Sequence, residues 1–436
     1  MTTSPGAYPQ VDAFDPTDPT DPNAVTDPDH EIGRPYVGWR EGELDLHFIE
    51  TGVAESAFYV LPDGTTALVD AGDRDPATHQ NGFPIVPDAS RRSGEWVARY
   101  IERVCPGLET IDYVVASHFH RDHVGDSTLE VPFKGLGRDG DYKLTGIPEV
   151  GERYRFGTAF DRAYPDYDRP IPCVSPVREY RDNLVKFWDY AEKSCGMKRE
   201  KFEVGALDQL KLVHAPEKYD FHIRNICANG VIWNPGEGRA IDYFERYPLT
   251  RELNNSENTR ENMLSIAFVA QYGAFRFYTG GDVMGVATRD DGTTFELEPL
   301  VGQAAGPVDV CKANHHSYKN AMKPGFVNAV APRVFVVCAW NADHFQDVTA
   351  TTMCDDSDSG YPGPRVICPT RVCQERLAQT PGRPWRRQLV ETGGHVVVKA
   401  YDGGSTYKVY YLTSQDESMT VKLVLGPFRS RGTRKS

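Results

Sequence analysis

Between Ser117 and Asp126 the chain reads Ser-His-Phe-His-Arg-Asp-His-Val-Gly-Asp, which places His118, His120, Asp122 and His123 within six residues. Three of the chain's twelve histidines fall in this window. Imidazole nitrogens and carboxylate oxygens together suit zinc, manganese or iron. His118 and His120 can point the same way from an extended turn and grip one ion. Asp122 and His123 then turn towards a second position a few ångströms on. Two adjacent divalent cations lower the pKa of a water between them and hold a developing oxyanion, which is the chemistry of hydrolysis. A polar loop with a chance run of histidines is the weaker explanation, because the run directly follows Ile111–Ala116, a short apolar stretch that reads as a buried strand.

Other strand-like stretches end in groups of the same kind. Ala274–Tyr278 runs into Thr279-Gly280-Gly281-Asp282, and the two glycines let the backbone turn sharply. A carboxylate there can bridge two cations, one oxygen to each. Val308–Ala313 runs into Asn314-His315-His316-Ser317, so His315 or His316 can complete the second ion. Val334–Cys338 leads to His344, a candidate acid for a leaving group or a donor to a substrate oxygen. Thr66–Val69 ends in Asp70, which taken alone would only cap a turn.

These sites need a framework of strands, and the sequence supplies one. Leu44–Glu50 alternates like a half-buried strand, Ala57–Leu61 and Thr66–Val69 flank a tight Pro-Asp-Gly turn, and Ser93 caps a helix whose Trp96, Val97, Tyr100, Ile101 and Val104 share a face. Strands resume at Ser265–Ala270 and close around His395–Ala400 and Thr406–Leu412. Between them, residues 127–260 form a large insertion, too long for a plain loop, with a helix from Glu179 to Lys193. Residues 1–36, rich in Pro, Asp and Thr, are expected to be disordered or draped over the domain. The domain proper is set at residues 37–425 and a basic tail at 426–436.

Composition narrows the function classes. A net charge of −14 gives no general attraction for nucleic acid or an anionic membrane. Nine scattered cysteines without a Cys-x-x-Cys pair fit reduced thiols in a cytoplasm. With no N-terminal apolar segment and no 18-residue apolar run, neither a signal peptide nor a membrane span is expected.

The order His-x-His-x-Asp-His, followed by Asp282 and the His315–His316 pair, resembles the metallo-β-lactamase superfamily. Within it, Leu68-Val69-Asp70-Ala71-Gly72, Tyr278-Thr279-Gly280-Gly281-Asp282 and Lys312-Ala313-Asn314-His315-His316-Ser317 look like the β-lactamase-like domain of bacterial DNA-internalisation competence proteins. The match covers residues 44–126 and 262–412 and departs in places: Ser317 follows the histidine pair directly where that branch has glycine, and its membrane channel is absent. The resemblance implies an α/β fold, an αββα sandwich with the large insertion between its halves. It also implies two divalent ions, zinc first and manganese or iron after it. It gives Asp70 a supporting role through hydrogen bonds to ligands or loop backbone, and Asp122 a part in orienting the nucleophile. A further histidine is expected on the first ion, and His222 or His214 lies in the right interval. The function expected is a metal-dependent hydrolase acting on a phosphodiester or another small anionic substrate. Ester, lactone or amide hydrolysis and di-iron redox chemistry are the alternatives, and His120 stands where the redox enzymes often carry a carboxylate. Arg153, Tyr154, Arg155 and Arg162 are candidates for binding an anionic substrate.

Overall fold

The computed structural model describes residues 30–78, 81–129, 135–246, 257–288, 294–354 and 365–432. Among the described residues nineteen strands follow one another: β1 (Leu44–Phe48), β2 (Ser56–Val60), β3 (Thr66–Ala71), β4 (Thr110–Ala116), β5 (Arg155–Asp161), β6 (Lys198–Arg199), β7 (Phe221–Ala228), β8 (Val231–Asn234), β9 (Arg239–Asp242), β10 (Ala267–Tyr272), β11 (Phe275–Thr279), β12 (Val286–Thr288), β13 (Thr294–Glu296), β14 (Val310–Lys312), β15 (Val334–Val337), β16 (Val366–Pro369), β17 (His395–Tyr401), β18 (Thr406–Leu412) and β19 (Val421–Arg429). One large sheet has the order β19-β18-β17-β1-β2-β3-β4-β5-β6, the second β16-β15-β14-β11-β10-β7-β8-β9, and β12 and β13 form a separate two-stranded ribbon. Strands β3 to β6 pair in parallel, as do β11, β14, β15 and β16.

Side-chain alternation stacks these sheets face to face. Leu44, Leu46 and Phe48 of β1 meet Phe268 and Ala270 of β10 and Phe275 and Phe277 of β11 in the layer between the sheets. Phe58, Leu68 and Val114 point the other way, onto the helices Ser93–Val104 and Val177–Cys195. Val269, Cys311 and Val337 likewise face the helices Leu297–Ala305, Pro324–Val330 and Asp347–Cys354. Each such buried aliphatic or aromatic side chain contributes roughly 1.5–3 kcal/mol. The result is the expected αββα sandwich. Both faces of β1 are covered, so the half-exposed alternation expected there does not occur: Asp45 and His47 are buried, with Asp45 Oδ2 accepting from Tyr36 (2.8 Å) and His47 Nδ1 beside the Tyr100 hydroxyl (3.0 Å).

Several boundaries move. Within residues 127–260, β5 and β6 extend the first sheet and β7 to β9 the second, so the described part of this insertion is built into both layers. Ser93 does not cap its helix; Arg92 occupies that position without a side-chain cap, and the Ser93 hydroxyl donates instead to the Gly72 carbonyl. The basic tail starts later than residue 426, because Gly426–Arg429 complete β19 and Phe428 is buried against Tyr407. Of the N-terminal segment, residues 1–29 lie outside the described residues, whereas Gly33 and Tyr36 donate backbone hydrogen bonds to Val421 and Met419. All nine cysteines are free, and among the described residues no helix is long and apolar enough to cross a membrane.

His395, at the start of β17, gives the fold a pH dependence. Its ring lies 4.6 Å from that of Tyr100, and its Nδ1 accepts from the Glu50 N–H at 3.1 Å. Burial, with His47, Arg103 and Lys422 nearby, pushes the imidazole down to about 3. The unfolded chain takes up this proton near pH 6.5, so the contribution is complete above about 6.5 and is lost as pH falls towards 3, at up to ~1.4 kcal/mol per pH unit. His395→Asn keeps an acceptor for Glu50 and removes the titration. Urea unfolding at about pH 7, 5 and 4 should show a shallower decline for the variant than for the wild type; parallel declines would refute this assignment.

Candidate metal centre

The site forms where the parallel strands of both sheets end, the edge at which α/β sheets place ligands. Asp70 closes β3 in a left-handed conformation, φ 59°. Its Oδ1 accepts from the Ser117 N–H and its Oδ2 from the Ser117 hydroxyl, both at 2.7 Å, and Oδ2 also faces His123 Nδ1 at 2.8 Å. One carboxylate therefore ties the ends of β3 and β4 together and fixes which His123 nitrogen points inward. Two residues on, Gly72 packs against the Asp122 carbonyl, where a Cβ would sit 2.0 Å from the oxygen. Gly72 N donates to Glu55 O, Glu55 N to Asp122 O and Asp73 N to Arg121 O, each at 3.0 Å. The histidine loop is thus stitched to the neighbouring backbone.

From the second sheet, Gly281 turns with φ 50° and sets Asp282 between two groups of donors. In the first, His118 Nε2 lies 3.0 Å from His120 Nδ1 and 3.8 Å from Asp282 Oδ2. In the second, His123 Nε2 lies 3.3 Å from Asp282 Oδ1, and His316 Nε2 lies 3.4 Å from Asp282 Oδ2 and 3.3 Å from Asp122 Oδ2. His315, His316 and Ser317 are successive left-handed residues, φ 45°, 51° and 58°. Such a run is strained and is held only by its surroundings. Glu298 supplies much of that hold, accepting from Asn314 Nδ2, Met322 N and Lys323 N.

The two histidines of that turn diverge. His316 donates from Nδ1 to the Cys338 carbonyl at 2.9 Å, which turns Nε2 towards Asp122 and Asp282, where the Trp340 indole N–H also reaches it at 3.2 Å. His315 instead lines the open cleft, with Nδ1 2.7 Å from Asn320 Oδ1 and Nε2 3.8 Å from Asp282. His344 stacks on His316, centroids 4.6 Å apart at 10°, and burial lowers its pKa well below the ordinary histidine range. It is therefore neutral near pH 7, suited to donate a hydrogen bond rather than to serve as a ready acid.

His222 does not join these groups. It lies at the start of β7, opposite Gln271, with Asp220, Arg224 and Arg276 as its charged neighbours, at the end of the sheet remote from the site. His214 is half exposed and 3.4 Å from Asp112, also far from it. The anion-binding expectation for the insertion fails as well. Arg153 pairs with Glu102, Tyr154 is buried with its hydroxyl on the Ala98 carbonyl, and Arg155 is exposed at the start of β5. Arg162 is fully buried against Glu261. Arg74 and Arg121 are the arginines that line the cleft, a space of about 450 Å³ beside Asp122 and Asp282.

Glu55 carries no motif and was invisible in the sequence. Its Oε2 comes within reach of the second donor group, but it is already 2.8 Å from Lys312 Nζ and 3.3 Å from His316 Nδ1. That contact is to the ring nitrogen turned away from Asp282, so Glu55 is better described as a buried partner of Lys312 behind His316. Lys312 Nζ also donates to the Gly281 carbonyl at 2.7 Å, which carries the pair's restraint to Asp282.

The donor set fits metal. His120 Nε2, His123 Nε2 and Asp282 Oδ1 are buried without a hydrogen-bond partner. Despite burial, which raises carboxylate pKa values, neighbouring imidazoles hold Asp122 and Asp282 well below the ordinary carboxylate range. Burial lowers His118 and His120 and leaves them neutral, whereas against burial the Asp282 carboxylate, with Asp70 at His123 and Asp122 at His316, raises His123 well above the ordinary histidine range and His316 to about 10, so a metal would displace a proton from each of these two. Ionised carboxylates and neutral imidazoles are the forms that ligate.

No protein-family model and no curated protein matches the chain. Among solved structures, it is similar to one described as a new diphosphatase from the PhnP family. Identity is 8%, the likeness covers 82% of this chain and 97% of that one, and the TM-score is 0.32. The chemistry of the site rests on its own geometry.

Proposed function

We propose that the protein is a metal-dependent hydrolase with a two-ion centre, acting on a small substrate that enters the cleft beside Asp282. The observation that carries this reading is the pair of donor groups meeting at one carboxylate, with buried nitrogen and oxygen atoms that find no hydrogen-bond partner among the described residues. His118, His120 and Asp282 would hold one ion; Asp122, His123, His316 and Asp282 the other. Bound there, two divalent cations supply a water acidified towards neutrality and a Lewis-acid hold on a phosphoryl or carbonyl oxygen.

The chain's own residues supply orientation. Asp70 fixes His123, and the Cys338 carbonyl fixes His316. Asp122 aligns the attacking water. His344 donates its N–H to a substrate oxygen from the cleft wall. His315 and Asn320 form the facing wall. A phosphodiester is placed ahead of an ester, lactone or amide as the substrate. Zinc is placed ahead of manganese or iron, because imidazole nitrogens dominate the donor set. The nine free thiols fit a reducing compartment.

Elemental analysis of protein purified without chelators tests the centre. About two zinc or manganese ions per chain are expected in the wild type, falling towards one in His120→Ala. Two iron ions would shift the chemistry to redox, and a metal-free protein that cannot be reconstituted would overturn the reading.

A further inference from the structure

Arg74 leaves β3 two residues after Gly72 and lines the cleft beside Asp122. It is only 4% exposed, and its guanidinium carbon lies 3.9 Å from the centroid of the Trp340 ring. Four of the acids around it are engaged by other groups. Asp73 is paired with Arg92, Asp126 with Arg121 at 3.1 Å, Asp343 with Arg376, and Asp122 with His316 at 3.3 Å. Arg74 Nε is buried without a hydrogen-bond partner. Burial lowers the group to about 10, with Asp122 acting in the opposite sense, so it remains charged at neutral pH.

An unpaired guanidinium held out of water is costly, and it is retained where a ligand brings the missing anion. The indole fixes one face of the planar group by a cation–π contact and leaves its N–H edges for a ligand. We propose that Arg74, braced on Trp340, binds a non-reacting phosphoryl oxygen pair of the substrate and so selects phosphodiesters over neutral esters. This rests on the hydrolase reading for its catalytic meaning, but the anion site itself can be tested alone.

The test is calorimetric titration of the purified protein with inorganic phosphate, and separately with acetate, for wild type, Arg74→Gln and Arg74→Lys. Arg74→Gln should weaken phosphate binding by roughly 10–100-fold, the loss of a bidentate charge-assisted contact. Arg74→Lys should recover only part, because an ammonium lacks the planar fork, and it serves as the informative variant if the glutamine protein fails to fold. Metal content, read on the same samples, should stay at the wild-type value, and melting temperature should not fall where the variant folds, since neither substitution adds a charge to the interior. Equal phosphate affinity in wild type and variants would overturn the proposal, as would failure of the wild type to bind phosphate. Acetate binding tighter than phosphate, with the same dependence on Arg74, would overturn the phosphoryl assignment in favour of a carboxylate. If phosphate binding depends on Arg74 but the protein holds no metal, the anion site stands and the hydrolase reading falls.

Discussion

Replacing Asp282 by asparagine should strip metal from both halves of the centre at once. Its Oδ2 lies 3.8 Å from His118 Nε2 and 3.4 Å from His316 Nε2, and its Oδ1 lies 3.3 Å from His123 Nε2. No other carboxylate belongs to both donor groups found among the described residues. The amide keeps the volume but removes the charge and one acceptor oxygen, so each ion loses its anionic partner. Metal content should fall from about two per chain to below one, and turnover by on the order of 10³, equivalent to ~4 kcal/mol in transition-state free energy. His222→Ala, at the opposite end of the sheet, should leave metal content and rate unchanged. Retention of two ions and a wild-type rate in Asp282→Asn would refute the shared carboxylate.

The second large effect concerns stability and acts on the histidine loop after β4. Glu261 accepts from Arg162 Nε and Nη2, both at 2.7 Å, in a bidentate pair with both side chains almost fully buried. Glu261 Oε1 also accepts the Phe119 N–H at 2.8 Å, and the Arg162 guanidinium lies 4.5 Å from the Phe119 ring centroid. Phe119 stands between His118 and His120, so this pair braces the backbone of two proposed ligands. Glu261→Ala strands a guanidinium in the interior and leaves a loop N–H unsatisfied. Breaking a buried pair from one side destabilises by roughly 3–5 kcal/mol. Chemical denaturation should register a loss of that size, with weaker metal retention, whereas Glu102→Ala, which breaks the exposed Arg153 pair, should change stability by less than about 1 kcal/mol. A loss below about 1 kcal/mol in Glu261→Ala would show that the pair does not brace the loop.

Legibility in the sequence followed the range of the interactions. Of the first sheet, β1 to β4, β17 and β18 were readable, as was the helix at Ser93–Val104, because period-2 and period-3.6 patterns are local consequences of which face is buried; β5, β6 and β19 were not. The histidine loop was readable for a similar reason: four donors in six residues need no knowledge of the fold. Ser93 was misassigned because a serine before an apolar face has the composition of a cap, while its actual partner, the Gly72 carbonyl, is distant in sequence. Arg162 read as a candidate for substrate and proved to be an interior ion-pair partner, since its carboxylate lies 99 residues away. Glu55, Glu298 and Arg74 carried no signal, as single charged residues in loops or at a helix start look the same in sequence whether solvated or buried.

The sequence by itself determined the donor inventory and the strand ends that present it: His118, His120, Asp122 and His123 after β4, Asp282 after β11, and the His315–His316 pair after β14. Only the tertiary structure decided which donors meet. It turned His316 inward and left His315 on the cleft wall, removed His222 to the far end of the sheet, and set Arg74 unpaired against Trp340. The physical reason is that residue type and spacing report what an atom can bond to. Convergence within 4 Å depends on strand order, parallel register and the hand of a strained turn, and these are set by the packing of two sheets against each other.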